Sequence, residues 1–172
     1  GLLMLYCQCL GDHKESLRTH FIEKVLRVLP HWRLVNKTKT FADILREAVR
    51  LAVESKDERF HELWQYAKST LKKDDTLFFE FQRRCQIDMD VKGGVAWLIS
   101  QLKRGFSPQL YACLGLYEFH LEEQLALAKR WRSHATREIE SKVLARLYLR
   151  SNDAQGSLEH ARDYLLLIDQ DR

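Results

Sequence analysis

The amino-acid sequence predicts an all-α protein, and three observations support that prediction. The 172 residues include only two prolines and seven glycines, so few positions interrupt a long helix. Apolar residues recur every three or four positions along most of the chain, which is the spacing of one helix face. No segment alternates cleanly between apolar and polar residues, as a half-buried strand does. We therefore expect antiparallel helix pairs, stacked as an α-solenoid or packed as a helical bundle.

Four helices are predicted in the first 71 residues. Residues 1–11, GLLMLYCQCLG, predict an apolar helix that other elements cover. Apolar residues from Leu17 onward predict a second helix that stops at Pro30, because proline disrupts a helix interior. The basic connector HWRLVNKTK follows. Thr40 and Asp57 are then expected to cap two further amphipathic helices, since their side-chain oxygens can accept the free N–H groups of a first turn.

The middle of the chain is predicted to hold two more helices. The polar stretch KKDD at 72–75 is expected to form a turn. Residues 76–89, TLFFEFQRRCQIDM, predict a helix, although their dense aromatic residues leave a strand as an alternative. Gly93 and Gly94 mark a break or a frayed helix start, and the short apolar helix after them ends by Gly105.

The C-terminal third begins with a clear helix start. Ser107 can cap a helix, and Pro108 suits its first position, where a missing N–H costs nothing. From there the apolar spacing predicts helices at 108–119, 121–133, 137–151 and 156–169.

These C-terminal helices carry a pattern that repeats after 33 residues, so that Leu110–Trp131 aligns with Val143–Tyr164. The matched pairs include Ala112 with Ala145, Leu114 with Leu147, Leu125 with Leu158, Ala128 with Ala161, and Trp131 with Tyr164. On these residues, the region 108–169 resembles the tetratricopeptide repeat family. The resemblance implies stacked antiparallel helix pairs, with Ala128 and Ala161 at close helix crossings. The chain departs from the family pattern in lacking a proline after either second helix.

We expect one domain over residues 1–172, with irregular helix pairs at 1–105 and tetratricopeptide-like pairs at 108–172. Repeat proteins need polar capping helices at their ends, and neither end of this sequence provides one. The sequence is therefore expected to be a piece of a longer protein, or to present its ends to a partner. Leu166 and Leu167 are predicted to form an apolar patch at the C-terminal edge, while the stripe Leu158, Ala161, Leu165 and Ile168 contacts the preceding repeat.

Charge and cysteine content favour an intracellular setting, cytoplasmic or nuclear, without a membrane span. The net charge is +4, from 28 basic and 24 acidic residues that are scattered along the chain. No apolar run approaches the ~20 residues of a transmembrane helix. The four cysteines show no paired spacing of a disulfide framework.

Three groups of residues resemble metal sites only in part, and we expect no metal and no cofactor. Glu58 and His61 share a helix face, but the chain has no second Glu-x-x-His. Cys7 and Cys9, with His13 and His20 nearby, lack the usual zinc spacing. The stretch from Asp88 to Gly93 opens like a calcium loop, but it has Lys92 at the fifth position and Ile99 at the twelfth.

The sequence therefore predicts a non-catalytic protein–protein interaction or scaffold module, which binds another protein or further repeats of a parent chain. Its candidate contact residues are Leu166, Leu167, Trp32 and Arg33. The alternative is a nucleic-acid-binding module that uses the basic residues Lys72, Lys73, Arg83, Arg84, Lys129, Arg130 and Arg132. An enzyme with an unrecognised site is the third possibility.

Overall fold

The computed structural model describes residues 14–32 and 39–170. Within these ranges the chain forms nine α-helices and no strand, which confirms the all-α prediction. The helices are α1 Lys14–Trp32, α2 Lys39–Glu54, α3 Phe60–Thr70, α4 Lys73–Gln82, α5 Val91–Arg104, α6 Pro108–Ala112, α7 Leu121–Trp131, α8 Arg137–Arg150 and α9 Ala154–Gln170. The predicted helix at residues 1–11 lies outside the described residues.

The chain divides into two compact units, which are described separately. The first unit ends at Phe79 and the second begins at Glu80, so the boundary falls inside α4. The expected single domain over residues 1–172 stays a prediction.

Helices α1, α2 and α3 pack against one another in the first unit. Their facing sides supply its fully buried apolar residues, which include Ile22, Leu29, Leu45, Ala48, Val49, Ala52, Phe60 and Leu63. At the start of α3, Asp57 accepts the backbone N–H of Arg59 and also pairs with its guanidinium, which in turn reaches the carbonyl of Thr19. Asp57 thus orders the turn between α2 and α3, but the residue directly before α3 is Arg59, which makes no side-chain capping bond, so the predicted cap at Asp57 is wrong.

Three predicted boundaries in the first unit are wrong. Pro30 lies inside α1, which continues to Trp32. Helix α2 begins at Lys39, so Thr40 is within the helix and does not precede it. The stretch KKDD is not a turn, because Lys73 begins α4. Two aspartates in the first turn of α4 favour this start, since negative charge stabilises a helix N-terminus.

The second unit opens with an unbroken helical path from α4 into a π-helical turn, Arg83–Ile87. The helix predicted over 76–89 is therefore confirmed in type, and the strand alternative is wrong. The π turn packs against α5 at Gly94, where an added Cβ would lie 2.5 Å from the sulfur of Cys85. Only glycine leaves room for this approach.

Helix α5 begins and ends close to the predicted glycines. Asp90 caps it by accepting the N–H of Gly93 at 2.9 Å, so Gly93 and Gly94 belong to the first turn and do not break the helix. Gly105 follows the last helical residue, as expected.

The largest departure from the sequence prediction follows Ser107. Ser107 caps α6 and Pro108 occupies its first position, as predicted, but α6 ends at Ala112 instead of continuing to residue 119. Residues 113–120 form an irregular segment, hereafter the 113–120 loop. Gly115 in this loop has φ +75°, a left-handed conformation that ends a right-handed helix.

Because of this loop, the two segments matched by the 33-residue repeat differ in structure. The match aligns the 113–120 loop with residues 146–153, which are the last five residues of α8 and the three-residue turn after it, so the two copies do not have the same structure. Ala128 is fully buried, as the resemblance implies, whereas its counterpart Ala161 is only half-buried. Leu158 is 70% exposed, so the prediction that it packs against the preceding helices is wrong.

Candidate interaction surfaces

A buried glutamine holds the 113–120 loop in place. The side chain of Gln124 on α7 is 1% exposed. Its Oε1 accepts the N–H of Gly115 at 2.9 Å, and its Nε2 donates to the carbonyls of Tyr117 (3.0 Å) and Phe119 (2.7 Å). The amide replaces the backbone hydrogen bonds that a helix would have made here, and so fixes an irregular segment at defined positions.

The loop forms one wall of an open groove of about 350 Å3, and α8 forms the other. Arg146 and Arg150 are four residues apart, so they project from the same face of α8. Nη1 of Arg146 donates to the carbonyl of Ala112 at 3.4 Å, and Nη1 of Arg150 lies 3.3 Å from the carboxylate of Glu118. The residues that line this groove, hereafter the arginine groove, are Glu118, Arg146, Leu149, Arg150 and Asn152.

Several large apolar side chains of the second unit are exposed. Leu149 on α8 is 66% exposed, and Leu158 and Leu166 on α9 are 70% and 53% exposed. Leu158 and Leu166 are two helical turns apart and roughly 80° apart around α9, so they share one side of that helix. On the loop, Leu116 and Phe119 are 37% and 41% exposed.

Of the four residues predicted to contact a partner, the structure describes the side chain of Leu166 alone. Leu166 is exposed, as the predicted apolar edge requires. Leu167 lies within α9 and Trp32 at the end of α1, but their side chains are outside the described part of the structure. Arg33 also lies outside the described residues. Their role in binding a partner stays a prediction.

An aromatic cluster joins the ends of α5 and α7, and no sequence motif indicated it. Phe106 contacts the rings of Tyr111, Trp131 and His134, with centroid distances of 5.6–5.9 Å. Nε1 of Trp131 donates to the carbonyl of Leu102 at 2.9 Å, and the Tyr111 hydroxyl donates to that of Ala128 at 3.1 Å. Burial raises the pKa of Tyr111 to about 12. Because these polar atoms are already bonded, the cluster is best explained as structural packing.

Of the predicted nucleic-acid contacts, Arg83 and Arg84 are bound within the protein. Arg83 forms two hydrogen bonds with Glu80 and also pairs with Asp88, while Arg84 pairs with Glu80 at 2.8 Å. Arg84 also lies over the ring of Trp97. Burial opposes ionisation of Glu80, but the hydrogen bonds and charges of the two arginines outweigh it and lower the pKa of its carboxyl. These two cations are therefore largely neutralised locally.

The remaining predicted basic residues are more accessible. Arg132 pairs with Glu140 at 3.0 Å. Lys129 lies over the ring of Tyr148 and Arg130 over that of Trp131, and both cations are exposed. Lys72 and Lys73 are exposed in the first unit.

The described residues of the three partial metal motifs are exposed or bind other protein groups. Glu58 and His61 are exposed, Asp88 pairs with Arg83, and Asp90 caps α5. Within the described residues, no three or more His, Cys, Asp and Glu side chains are grouped so that they could hold a metal ion. Cys7, Cys9 and His13 lie outside those residues.

The two described cysteines are buried free thiols. Burial raises the pKa of Cys85 to about 11 and that of Cys113 to about 12, so both are protonated at neutral pH. A protonated, buried thiol is a poor nucleophile.

No helix in the described part of the chain is both long enough and apolar enough to cross a membrane. Comparison of the chain with protein-family models, with curated proteins and with solved structures finds no match. The tetratricopeptide resemblance therefore stays a prediction from the sequence.

Proposed function

We propose that this chain is a non-catalytic protein–protein interaction module whose partner contacts the helix pair α8–α9. The observation that carries the proposal is the exposure of three leucines on this pair, Leu149, Leu158 and Leu166, each by more than half. Single exposed leucines are common on protein surfaces. Two on one side of the same helix form an apolar stripe, which becomes favourable when a partner covers it.

The repeat character of this helix pair is part of the proposal. Helices α8 and α9 pack against each other and are joined by three residues, and together they run from Arg137 to Gln170. That span is close to the ~34 residues of one tetratricopeptide repeat. If α8–α9 is such a unit, the exposed side of α9 is where a further helix pair or a partner helix stacks.

The experiment replaces Leu158 and Leu166 together by glutamate in the full chain. The wild-type chain, immobilised, is expected to retain a discrete protein partner in stoichiometric amount, and the double variant is expected to lose it. Circular dichroism should give equal helical content for both chains, because the replaced side chains are exposed. Sedimentation of the chain alone distinguishes a second copy from a different partner.

The matched control is Glu122→Gln with Lys92→Gln, which changes two exposed polar residues outside the helix pair α8–α9. This control should retain the partner. If the leucine variant retained the partner equally well, the outer side of α9 would not be the contact surface.

A nucleic-acid-binding module is the second candidate function. The observation that favours it is the position of Lys129 and Arg130, which are exposed beside aromatic rings. Cations next to aromatic faces are the usual elements of a single-strand binding groove. The pairing of Arg83 and Arg84 with Glu80 makes this candidate the weaker one.

A further inference from the structure

We propose that the arginine groove binds an acidic segment of a partner protein, with a carboxylate against Arg150 and Arg146 and an apolar side chain against Leu149. This inference rests on the proposed function, because it names the chemistry of a partner. It adds a second contact site, separate in its residues from the leucine stripe of α9.

The charges that line the groove determine the class of ligand. Arg146 and Arg150 contribute two positive charges, and Glu118 contributes one negative charge. No acidic side chain forms an ion pair with Arg146 among the described residues. Arginine presents several N–H donors in a planar fork, and one carbonyl or one carboxylate oxygen engages only part of that capacity. The groove thus has an excess of positive charge and of hydrogen-bond donors.

The contact between Glu118 and Arg150 indicates that the groove would bind a carboxylate. Its carboxylate pairs with Arg150 at 3.3 Å while its side chain remains 72% exposed. Such exposed ion pairs contribute little to stability, so an external carboxylate can replace Glu118 at small cost. Glu118 then acts as an internal competitor for the ligand.

The apolar surroundings favour a peptide over a small anion. Leu149 lines the groove and is 66% exposed. A phosphate or a free carboxylate would leave Leu149 in water. A segment that carries both an acidic and an apolar residue would cover it.

The wall itself is preorganised. Gln124 bonds the loop backbone at Gly115, Tyr117 and Phe119, so the loop is held in place before a ligand arrives. Binding to an ordered loop avoids the entropic cost of fixing a mobile one.

The test uses random peptides displayed on phage and selected on the intact, immobilised chain. Selected peptides are then synthesised with a fluorescent label, and their affinity is measured by anisotropy. We expect the selected sequences to contain Asp or Glu next to Leu, Ile or Phe. Replacing the acidic residue by Asn or Gln in the peptide should weaken binding about tenfold or more.

Two variants of the protein should change the affinity in opposite directions. Arg150→Gln should weaken the acidic peptide about tenfold, whereas Glu118→Gln should tighten it about threefold by removing the competitor. A merely damaged fold cannot produce the tightening. Arg162→Gln, an exposed arginine on α9, is the matched control and should leave the affinity unchanged.

The groove proposal is overturned if no peptide is selected, if the selected peptides lack acidic residues, or if neither variant changes the affinity. Loss of partner capture with the Leu158 and Leu166 variant, together with such a negative peptide result, would leave the proposed function standing and remove only the groove. A chain that retains no partner and selects no peptide would remove both.

Discussion

Gln124 is the single residue on which the shape of the 113–120 loop most depends. It is one of few buried polar side chains in the described structure, and it satisfies one N–H and two carbonyl groups of the loop. Replacement by leucine keeps the approximate volume but leaves these groups without partners. Because an unsatisfied buried polar group costs about 1–3 kcal/mol, we expect Gln124→Leu to lower the free energy of unfolding by roughly that amount in urea titrations.

The matched control for this change is Gln109→Leu. Gln109 is an exposed glutamine on α6, so the same replacement there should be nearly neutral. Equal stability of the two variants would show that the amide bonds of Gln124 contribute nothing that leucine packing cannot replace.

Glu80 links the stability of the second unit to pH. Its folded-state pKa lies below 4.5, the ordinary glutamate value, despite burial, because Arg83 and Arg84 favour the ionised form. A carboxyl with a lowered pKa contributes stability that is complete above the unfolded-state pKa and is lost as the pH falls through the folded-state pKa. We therefore expect the urea midpoint to decrease below about pH 4.5.

Glu80→Gln tests this assignment directly. The variant should be less stable than wild type at pH 7, and the difference should shrink as the pH falls below 4.5, because protonated Glu80 resembles glutamine. Glu122→Gln, on the exposed side of α7, is the control that should keep the wild-type pH dependence. A constant difference at all pH values would contradict the ionic role of Glu80.

Residue roles of this kind could be predicted only in part from the sequence. A cap such as Ser107 depends on neighbouring positions, so local spacing identifies it. The partners of Gln124 lie five to nine residues away across a chain reversal, and Arg150 meets Glu118 across 32 residues. A glutamine on an amphipathic helix carries no signal that it will be buried, and for this reason the groove and its anchor were missed.

At the scale of elements, Gly115 explains why the helix predicted over 108–119 ends early. Apolar residues at Leu110, Tyr111 and Leu114 fit a continuous helix, and all three are buried. Gly115 instead adopts φ +75°, and an added Cβ would lie 3.0 Å from the Cβ of Arg146 and 3.2 Å from Cγ of Leu147. The apolar spacing therefore predicts correctly which residues are buried. It does not predict that they lie in a helix, because a loop packed against α8 can bury them as well.

We expect Gly115→Ala to destabilise the chain by about 1–3 kcal/mol, since it combines a left-handed backbone with a close contact to α8. The change should appear as a lower melting temperature and as shifted NMR signals for residues of the 113–120 loop.

Gly105→Ala is the control for the glycine prediction. Gly105 has extended backbone, with φ 178°, and nothing lies within 4 Å of an added Cβ. Alanine there should be neutral or slightly stabilising, because it restricts the unfolded chain. If Gly115→Ala were as stable as Gly105→Ala, the strain and crowding at Gly115 would be unimportant.

At the scale of the whole molecule, composition and periodicity predicted the fold class, because burial of one helix face is a local property of sequence. The arrangement of helices depends on which faces meet. The 33-residue match compares residue types and not conformations, and it therefore aligned a loop with part of α8. The basic pairs are a second example, because the sequence shows where the cations are but not which side chains pair with them. Glu80 binds both Arg83 and Arg84.

The net charge of +4 also concerns the molecule as a whole, and it yields the last prediction. If the interaction proposal holds, single- and double-stranded oligonucleotides of generic sequence should bind only weakly at physiological salt. Each neutralised phosphate adds roughly 0.7–0.9 to the slope of log K against log salt. Because Arg83 and Arg84 are paired with Glu80, five of the seven named cations remain available, and we expect a slope no steeper than about −4 by fluorescence anisotropy. The double variant Lys129→Ala and Arg130→Ala should make the slope of log K against log salt shallower. The double variant Lys72→Ala and Lys73→Ala is the comparison in the first unit. Tight binding with a slope near −6 would mean that the internal pairs open to meet phosphate, and it would favour the nucleic-acid module over the protein-binding one.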